Sequence, residues 1–341
     1  MGYSNYSDDA AEARVSARVS AGKPAVASYT ADIASGAAPA KVHTNLDPRG
    51  LLFRESRDSE NHPESVPVIL ILDQTGSMGK VIKQIQKSIR SIMKLLVDKG
   101  YLPHPHIMVI AVGDVPNPDR EKAPLQVSQF ESDDKIEQCI DDIFIEGNGG
   151  GQKRESYQNA AYVVAYKTRT DHWDKRGRKG YVFFFGDEMN HPFRKDEVVS
   201  LIGTDDERNL PSTLPLRDLY DMVKERYHTF FVLPKNANYG GDQEVLDHWK
   251  VLLGIEAVLQ LADENAVGEF VAAQIGLIEE NTDIDGIAKD LTDLHGASAS
   301  TNALVKSVAS SVSTSYRGDA IARVQKGALA TSDKPVNVGR L

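Results

Sequence analysis

Three oxygen-bearing side chains follow one strongly apolar stretch of this sequence, and their types suit the binding of a cation. Asp73, Thr75 and Ser77 occupy alternate positions directly after the apolar residues 66–72. Carboxylate and hydroxyl oxygens suit a hard ion such as Mg²⁺, which keeps several waters and takes only one or two carboxylates. The segment therefore predicts a small site for a hard divalent cation.

Two more polar features could supply ligands to the same ion. Asp187 ends a phenylalanine-rich apolar stretch, and the glycine-dense residues 147–151 lie just before a predicted helix. Gln152 follows these glycines and could coordinate a cation through its amide oxygen. Glu155 or Ser156 could take the place of Gln152, so the identity of this ligand stays open at the level of sequence.

The elements around Asp73 indicate where such a site would lie. Residues 66–72 are rich in β-branched types and too few for a helix, so they predict a strand buried on both faces of a parallel sheet. After Gly79, apolar residues recur at helical spacing as far as Leu96. Ligands of open α/β sheets bind at the carboxyl ends of strands. A site at Asp73 would therefore occupy a strand-to-helix turn.

Strands and helices alternate through the middle of the chain. This alternation predicts an α/β fold with a doubly wound, mostly parallel six-stranded sheet flanked by helices. Besides the strand at 66–72, strands are predicted at 106–114, 125–131, 180–187, 228–233 and 257–261, and helices at 132–143, 157–168, 195–202, 216–226, 242–253 and 264–279.

Two of these motifs resemble those of a known family. The pattern Asp73-x-Thr75-x-Ser77 after a hydrophobic strand resembles the first motif of von Willebrand factor type A (vWA) domains. The segment from Val182 to Asp187 resembles the third motif, in which an Asp follows a buried strand. The second motif of the family is a glycine-rich loop that contributes a Thr. The resemblance covers roughly residues 66–280, with the three motifs in order.

The resemblance implies a Rossmann-like vWA fold that carries a metal-ion-dependent adhesion site (MIDAS). It implies Mg²⁺ as the bound ion, with Mn²⁺ or Ca²⁺ as substitutes. It also implies a bacterial or phage protein whose function is to bind another protein and not to act as an enzyme. In this family an acidic side chain of the partner completes the coordination, and the partners include AAA+ ATPases and other components of multi-protein complexes. The implied metal ligands are Asp73, Thr75, Ser77, Gln152 and Asp187, where Gln152 stands in place of the usual Thr.

Other interpretations are left open by the residues alone. Asp73 and Asp187 could cap the helices that begin after their strands, which is a common role for Asp. A Mg²⁺-dependent phosphatase of haloacid-dehalogenase type also places an Asp after its first strand. However, Thr75 stands where that family has a second Asp, and Thr cannot transfer a proton near neutral pH. A metal-free scaffold protein is the third possibility. Glu188 and His191 could line the rim of a metal site, but we expect them to be solvated loop residues.

Composition excludes several classes of protein. The formal net charge is −10, from 39 basic and 49 acidic residues, which argues against general nucleic-acid binding. Cys139 is the only cysteine, which excludes an intramolecular disulfide and a thiolate zinc cluster. The N-terminal residues lack the apolar core of a signal peptide, and no apolar run approaches the ~20 residues that span a bilayer. We therefore expect a soluble, cytoplasmic protein without a membrane partner.

Composition also shifts along the chain and predicts its division into segments. The first segment is rich in Ala and Ser, and the last carries more basic than acidic residues. The charged segment before the first core strand could form an edge strand or a clasp over the domain. The predicted segments are a flexible N-terminal arm (1–45), a charged lead-in (46–65), a vWA-like α/β domain (66–281), C-terminal helices (282–315) and a basic flexible tail (316–341).

Overall fold

The computed structural model describes residues 4–115, 121–147 and 153–312. The strands are β1 (Arg54–Ser56), β2 (Val66–Asp73), β3 (Pro105–Val112), β4 (Leu125–Val127), β5 (Arg154–Glu155), β6 (Thr168–Thr170), β7 (Gly180–Phe185), β8 (Met189–Asn190), β9 (Tyr227–Pro234) and β10 (Val258–Leu261). The helices are α1 (Asp8–Ser20), α2 (Ser28–Ala34), α3 (Gly79–Met93), α4 (Lys135–Asp141), α5 (Tyr157–Tyr166), α6 (Asp171–Asp174), α7 (Lys195–Leu201), α8 (Asp205–Arg208), α9 (Leu216–Arg226), α10 (Gln243–Leu253), α11 (Val267–Ile278), α12 (Ile284–His295) and α13 (Ala299–Ser311). A π-helical turn (Lys94–Asp98) extends α3, and short 3₁₀ helices lie at Thr44–Leu46, Gly76–Met78, Ile255–Ala257 and Glu264–Ala266.

A six-stranded sheet forms the centre of the protein. Its strand order is β10-β9-β7-β2-β3-β4, and every pair is parallel except β3 with β4. The prediction of a mostly parallel six-stranded sheet flanked by helices is confirmed. The predicted strand 125–131 is shorter in the structure, where it is β4, and it pairs antiparallel with β3. A short connection permits this pairing because only parallel neighbours need a long crossover.

Helices cover both faces of this sheet because successive side chains of a strand point to opposite faces. In β2, which is buried along its whole length, Val68, Leu70 and Leu72 contact the core formed with α3 and α11. Ile69 and Ile71 contact the second core, which is formed with α5, α9 and α10. The continuous apolar run in the sequence is therefore explained by two cores that share one strand.

The order of the strands reverses between β2 and β7. From β2 the chain continues to its neighbour β3 on one side, whereas from β7 it continues to β9 on the other side. The connections that leave these two adjacent strands therefore run to opposite sides of the sheet. Open α/β sheets bind ligands at the carboxyl ends of strands at such a reversal. Asp73 ends β2, and Asp187 lies two residues beyond the end of β7.

The N-terminal residues differ from the predicted flexible arm. Residues 8–20 and 28–34 are helical, and they pack against α4. Arg14 forms an ion pair with Asp134, Arg18 Nη1 donates to Glu137 Oε2 at 2.9 Å, and Ser28 N donates to Asp141 Oδ1 at 3.0 Å. The sequence did not indicate this docking because it depends on polar contacts between residues more than 100 positions apart and not on an apolar stripe.

The charged lead-in also has a defined place. Its strand β1 pairs in parallel with β6 in a separate two-stranded sheet and does not join an edge of the central sheet. Arg57 Nη1 bonds to Asp171 at 2.8 Å, and Arg176 Nη1 bonds to Asp58 at 2.8 Å. Cross-chain ion pairs therefore hold the segment against the domain.

The C-terminal part of the described chain is helical. α12 and α13 follow α11, and Ser311 Oγ accepts a hydrogen bond from Ala262 N at 3.0 Å just after the edge strand β10. The predicted basic tail, residues 316–341, lies outside the described residues. Within the described ranges, no helix combines the length and the apolar character needed to cross a bilayer.

Candidate metal centre

Asp73 is the best-defined residue of the predicted site. Its side chain lies at the end of β2 and is 1% exposed. Thr75 donates to Asp73 Oδ1 through its backbone N at 2.8 Å and through Oγ1 at 2.5 Å, and Tyr157 Oη donates to Oδ2 at 2.6 Å. Burial raises the pKa of Asp73, hydrogen bonds from Thr75 and Tyr157 oppose this rise, and the negative charge of Asp187 adds to it. Asp73 is therefore a buried carboxylate oriented by neutral donors.

Asp187 lies in the turn that follows β7, beside the turn that follows β2. It is 2% exposed, and Tyr239 N donates to its Oδ2 at 3.3 Å. The preceding residue, Gly186, contacts the same tyrosine that bonds to Asp73: a Cβ added at Gly186 would lie 2.0 Å from Tyr157 Oη. Tyr157 therefore fills the space between the two turns, and only a glycine at position 186 leaves room for its hydroxyl group.

The remaining predicted ligands are only partly described. Ser77 lies in the 3₁₀ turn Gly76–Met78, directly after Thr75. Gln152 lies outside the described residues, so its role as a ligand stays a prediction. The start of the glycine-rich loop is described: Gly147 has a φ of 69° and donates from its N to Gln74 O at 3.3 Å. The first motif and the beginning of the loop are therefore in direct backbone contact.

Glu155, which the sequence offered as a replacement for Gln152, lies inside the site. It belongs to β5, which pairs with β8 just after Asp187, and His191 N donates to Glu155 O at 3.1 Å. Its side chain is 0% exposed, and burial together with the charges of Asp73 and Glu188 raises its pKa. The segment after the glycine-rich loop and the segment after Asp187 therefore meet through a short parallel ladder.

The side chains of Lys153 and Arg154, the two basic residues before Glu155, bond to groups other than the Glu155 carboxyl. Lys153 Nζ bonds to Asp242 Oδ2 at 2.8 Å and to Glu244 Oε2 at 3.1 Å. Arg154 Nη1 donates to the backbone oxygen of Asn190. The positive charges of Lys153 and Arg154 are therefore engaged by groups other than the Glu155 carboxyl.

The expectation that Glu188 and His191 are solvated loop residues is wrong. Each is only 8% exposed, because the pairing of β5 with β8 covers this segment. His191 Nε2 lies 2.9 Å from Asp114 Oδ1, and Asp114 is fully buried two residues beyond the end of β3. Nearby, burial and the negative charges of Glu146 and Asp114 raise the pKa of Glu121 to about 8. The sheet edge thus gathers more carboxylates than the sequence indicated.

Sequence reasoning also missed Tyr157, whose hydroxyl group orients Asp73. Its position at the start of α5 carries no pattern that distinguishes it from an ordinary core aromatic. Only the approach of α5 to β2 and to Gly186 identifies its second role.

The donor set at this edge fits a hard cation. Within the described part of the chain, several buried carboxylate oxygens have no hydrogen-bond donor: both oxygens of Glu155, Oε2 of Glu188, Oδ2 of Asp114 and Oε2 of Glu121. A buried charge without compensation is costly, so such oxygens favour a bound cation or a proton. Across residues 4–115, 121–147 and 153–312, no three His, Cys, Asp or Glu side chains are grouped to hold a metal. The predicted site depends on two carboxylates with hydroxyl groups, so it needs no such triad.

Comparisons with known proteins add little to this geometry. No known protein family and no curated protein matches the sequence. Among solved structures, the pilus adhesin SpaC from Lactobacillus rhamnosus GG in its open conformation aligns at 10% identity over 66% of this chain and 31% of its own, with a TM-score of 0.43. Proximal thread matrix protein 1 from the mussel byssus aligns at 10% identity over 68% of this chain and 47% of its own, with a TM-score of 0.38. The chain thus spans less than half the length of these proteins, and likeness at this level carries no argument.

Proposed function

We propose that this chain is a metal-dependent protein-binding module of the vWA type and not an enzyme. Asp73, Thr75, Ser77 and Asp187 would hold Mg²⁺ at the carboxyl ends of β2 and β7, with Gln152 as the further ligand that the resemblance implies. The observation that carries this proposal is the carboxylate of Asp73. It is buried at the point where the strand order reverses, and its donors are all neutral.

The bound ion would give the module its binding chemistry. Mg²⁺ held by few carboxylates keeps positions occupied by exchangeable waters, and an acidic side chain of a partner protein can take one of them. Thr75 and Tyr157 would fix Asp73, because their hydrogen bonds hold both of its oxygens. The partner is proposed by analogy as an AAA+ ATPase or another component of a multi-protein complex in the cytoplasm. Nucleic acid is a poor partner for a chain of net charge −10.

A phosphatase of haloacid-dehalogenase type is less well supported. That reaction needs a nucleophilic Asp and an acid or base two positions later, and Thr75 occupies the second position. In this structure the Thr75 hydroxyl donates to Asp73, and Tyr157 donates to the other oxygen. Hydrogen bonds on both oxygens reduce the nucleophilicity of the carboxylate.

Titration calorimetry with Mn²⁺ and Mg²⁺ tests the proposed function. We expect the wild-type protein to bind a divalent ion, and Asp73→Ala to abolish this binding while its circular dichroism spectrum stays unchanged. Asp247→Ala is the matched control, because Asp247 is exposed on α10 and pairs with Lys250 of the same helix. A folded wild-type protein that responds to neither ion would disprove the adhesion site. A pull-down from the native host with and without chelator then tests whether partner binding needs the ion.

Thr30 in the docked N-terminal segment is expected to position the glycine-rich loop. Its Oγ1 donates to Ile143 O at 3.1 Å and accepts from Ile145 N at 2.9 Å, two residues before Gly147. Groups that orient a metal site indirectly typically change its affinity by ~10-fold or more. We therefore expect Thr30→Val to weaken Mn²⁺ binding by about 10-fold.

Two controls separate positioning from general stability. Thr30→Ser keeps the hydroxyl group and is expected to bind Mn²⁺ like the wild type. Tyr29→Phe removes a neighbouring exposed hydrogen bond to Lys41 O and should have no effect. Thermal unfolding in the presence of chelator shows whether the metal-free fold is equally stable. An unchanged Mn²⁺ affinity in Thr30→Val would exclude the positioning role.

A further inference from the structure

We propose that His62 and His106 form a binding site for a transition-metal ion of the Zn²⁺ class, at the opposite edge of the sheet from the candidate metal centre. His106 is the second residue of β3, and His62 lies in the charged lead-in, four residues before β2. In the register of β2 with β3, His106 is opposite Pro67, and Val112 is opposite Asp73. The six residues from His106 to Val112 span ~20 Å of strand, so the two sites are separate.

Each of the two imidazole rings is held by one of its nitrogens. His62 Nε2 lies 3.2 Å from the backbone oxygen of Ser4, and His106 Nδ1 lies 3.2 Å from Ser56 Oγ. A carbonyl oxygen only accepts hydrogen bonds, so the neutral ring of His62 carries its proton on Nε2 and a lone pair on Nδ1. Histidines that bind metals donate from their other nitrogen to an oxygen, which fixes the ring. Both rings are held in a way that agrees with this arrangement.

The second nitrogen of each ring is buried and lacks a hydrogen-bond partner. His62 and His106 are 4% and 2% exposed, and within the described part of the chain neither His62 Nδ1 nor His106 Nε2 has a partner. Burial, and after it the charge of His62, lowers the pKa of His106 to about 4, so this ring is neutral at pH 7. A histidine must be neutral to bind a metal. A buried polar atom without a partner is costly, and one bound ion would satisfy both nitrogens.

The separation of the two rings suits a shared ion. The ring centres of His62 and His106 are 5.1 Å apart, and the ring planes meet at 70°. With Zn–N distances of ~2.0–2.1 Å and tetrahedral angles, two imidazoles on one ion have their centres roughly 5 Å apart. Imidazole nitrogens suit Zn²⁺, Cu²⁺ and Ni²⁺, whereas Mg²⁺ prefers oxygen ligands. The histidine site therefore selects a different ion from the site at Asp73.

The ion would link segments that are distant in the sequence. Across residues 4–115, 121–147 and 153–312, no three His, Cys, Asp or Glu side chains are grouped to hold a metal, so this site has two protein ligands and water completes it. His62 belongs to the lead-in and His106 to the central sheet. The backbone oxygen of Ser4, which His62 contacts, also accepts from Ser132 Oγ at 2.7 Å. A bound ion would therefore stabilise the packing of the N-terminal residues and the lead-in on the domain.

Zn²⁺ titration of the Asp73→Ala protein, in which a ligand of the first site is removed, tests this inference. We expect calorimetry to give one Zn²⁺ per chain, and Zn²⁺ to raise the thermal unfolding temperature, because an ion that binds only the folded state stabilises it. His62→Gln in the same background should weaken Zn²⁺ binding by at least about 10-fold, since even indirect partners of a metal change its affinity by this factor. His295→Gln is the matched control, because His295 lies on α12 and contacts Glu269, and it should bind Zn²⁺ like its parent.

The outcomes separate this inference from the proposed function. A folded Asp73→Ala protein that binds no Zn²⁺, or that binds it equally well after His62→Gln, would overturn the histidine site and leave an edge-to-face contact between two rings. His106→Gln is the second variant if His62→Gln fails to fold, and it should lose the same ion. Mg²⁺ titration of the wild type reports on the site at Asp73 alone. A wild type that ignores Mg²⁺ but binds Zn²⁺ through His62 would refute the adhesion site and support the histidine site.

Discussion

Replacing Lys167 with Met is expected to lower the free energy of unfolding by about 3–5 kcal/mol, because it leaves a buried carboxylate without its cation. The side chains of Lys167 and Glu207 are both 0% exposed, and Lys167 Nζ lies 2.7 Å from Glu207 Oε1. Tyr162 Oη and Thr204 N also donate to Glu207, each at 2.8 Å. These neutral donors satisfy the oxygens but do not cancel the charge.

Urea unfolding of matched variants measures this effect. Arg208→Met removes the ion pair of Arg208 with Asp205 on α8, the helix that carries Glu207. The side chains of Arg208 and Asp205 are 63% and 89% exposed. Exposed pairs contribute about 0–1 kcal/mol, so this control should unfold close to the wild type. The double variant Lys167→Met/Glu207→Gln should recover stability, since it removes both charges. A loss in Lys167→Met no larger than in Arg208→Met would contradict a buried, charged pair.

Gly186→Ala is expected to disturb both the core and the candidate metal centre. The added Cβ would lie 2.0 Å from Tyr157 Oη and 2.5 Å from its Cζ, which is closer than atoms can approach, so the ring must move. Overpacking of this kind costs about 1–3 kcal/mol, occasionally more. A displaced Tyr157 would also lose its 2.6 Å hydrogen bond to Asp73. We expect Mn²⁺ affinity to fall by about 10-fold as a result.

A double-mutant comparison tests the cause. Tyr157→Phe removes the clashing hydroxyl group, so Gly186→Ala should destabilise the Tyr157→Phe variant less than it destabilises the wild type. Gly241→Ala is the control, because a Cβ there would meet nothing within 4 Å, and it should change stability by less than about 0.5 kcal/mol. Equal destabilisation in both backgrounds would show that the hydroxyl of Tyr157 is not what Gly186 accommodates.

The parts of the fold that local patterns could predict are those with strong periodicity. The apolar run before Asp73 forms β2, because a strand buried on both faces needs apolar residues throughout. The apolar stripe after Gly79 forms α3, because a helix buried on one side needs apolar residues only along that side. The order of the strands along the chain could not predict that β4 pairs antiparallel with β3. The direction of pairing depends on the connection between the two strands and not on the residues of the strand itself. The docked helices α1 and α2 were missed for a related reason: their contacts are ion pairs with distant residues.

For the candidate site, the sequence by itself determined which residues end the two central strands. Asp73 and Asp187 could be placed at one sheet edge because the carboxyl ends of parallel strands meet there. Only the tertiary structure decided what surrounds them. Tyr157 reaches Asp73 across Gly186, and Glu155 is buried opposite Asn190, because a crossover helix and a short β-ladder bring distant segments together. Such contacts depend on how elements pack, and packing leaves no local signature in the order of residues.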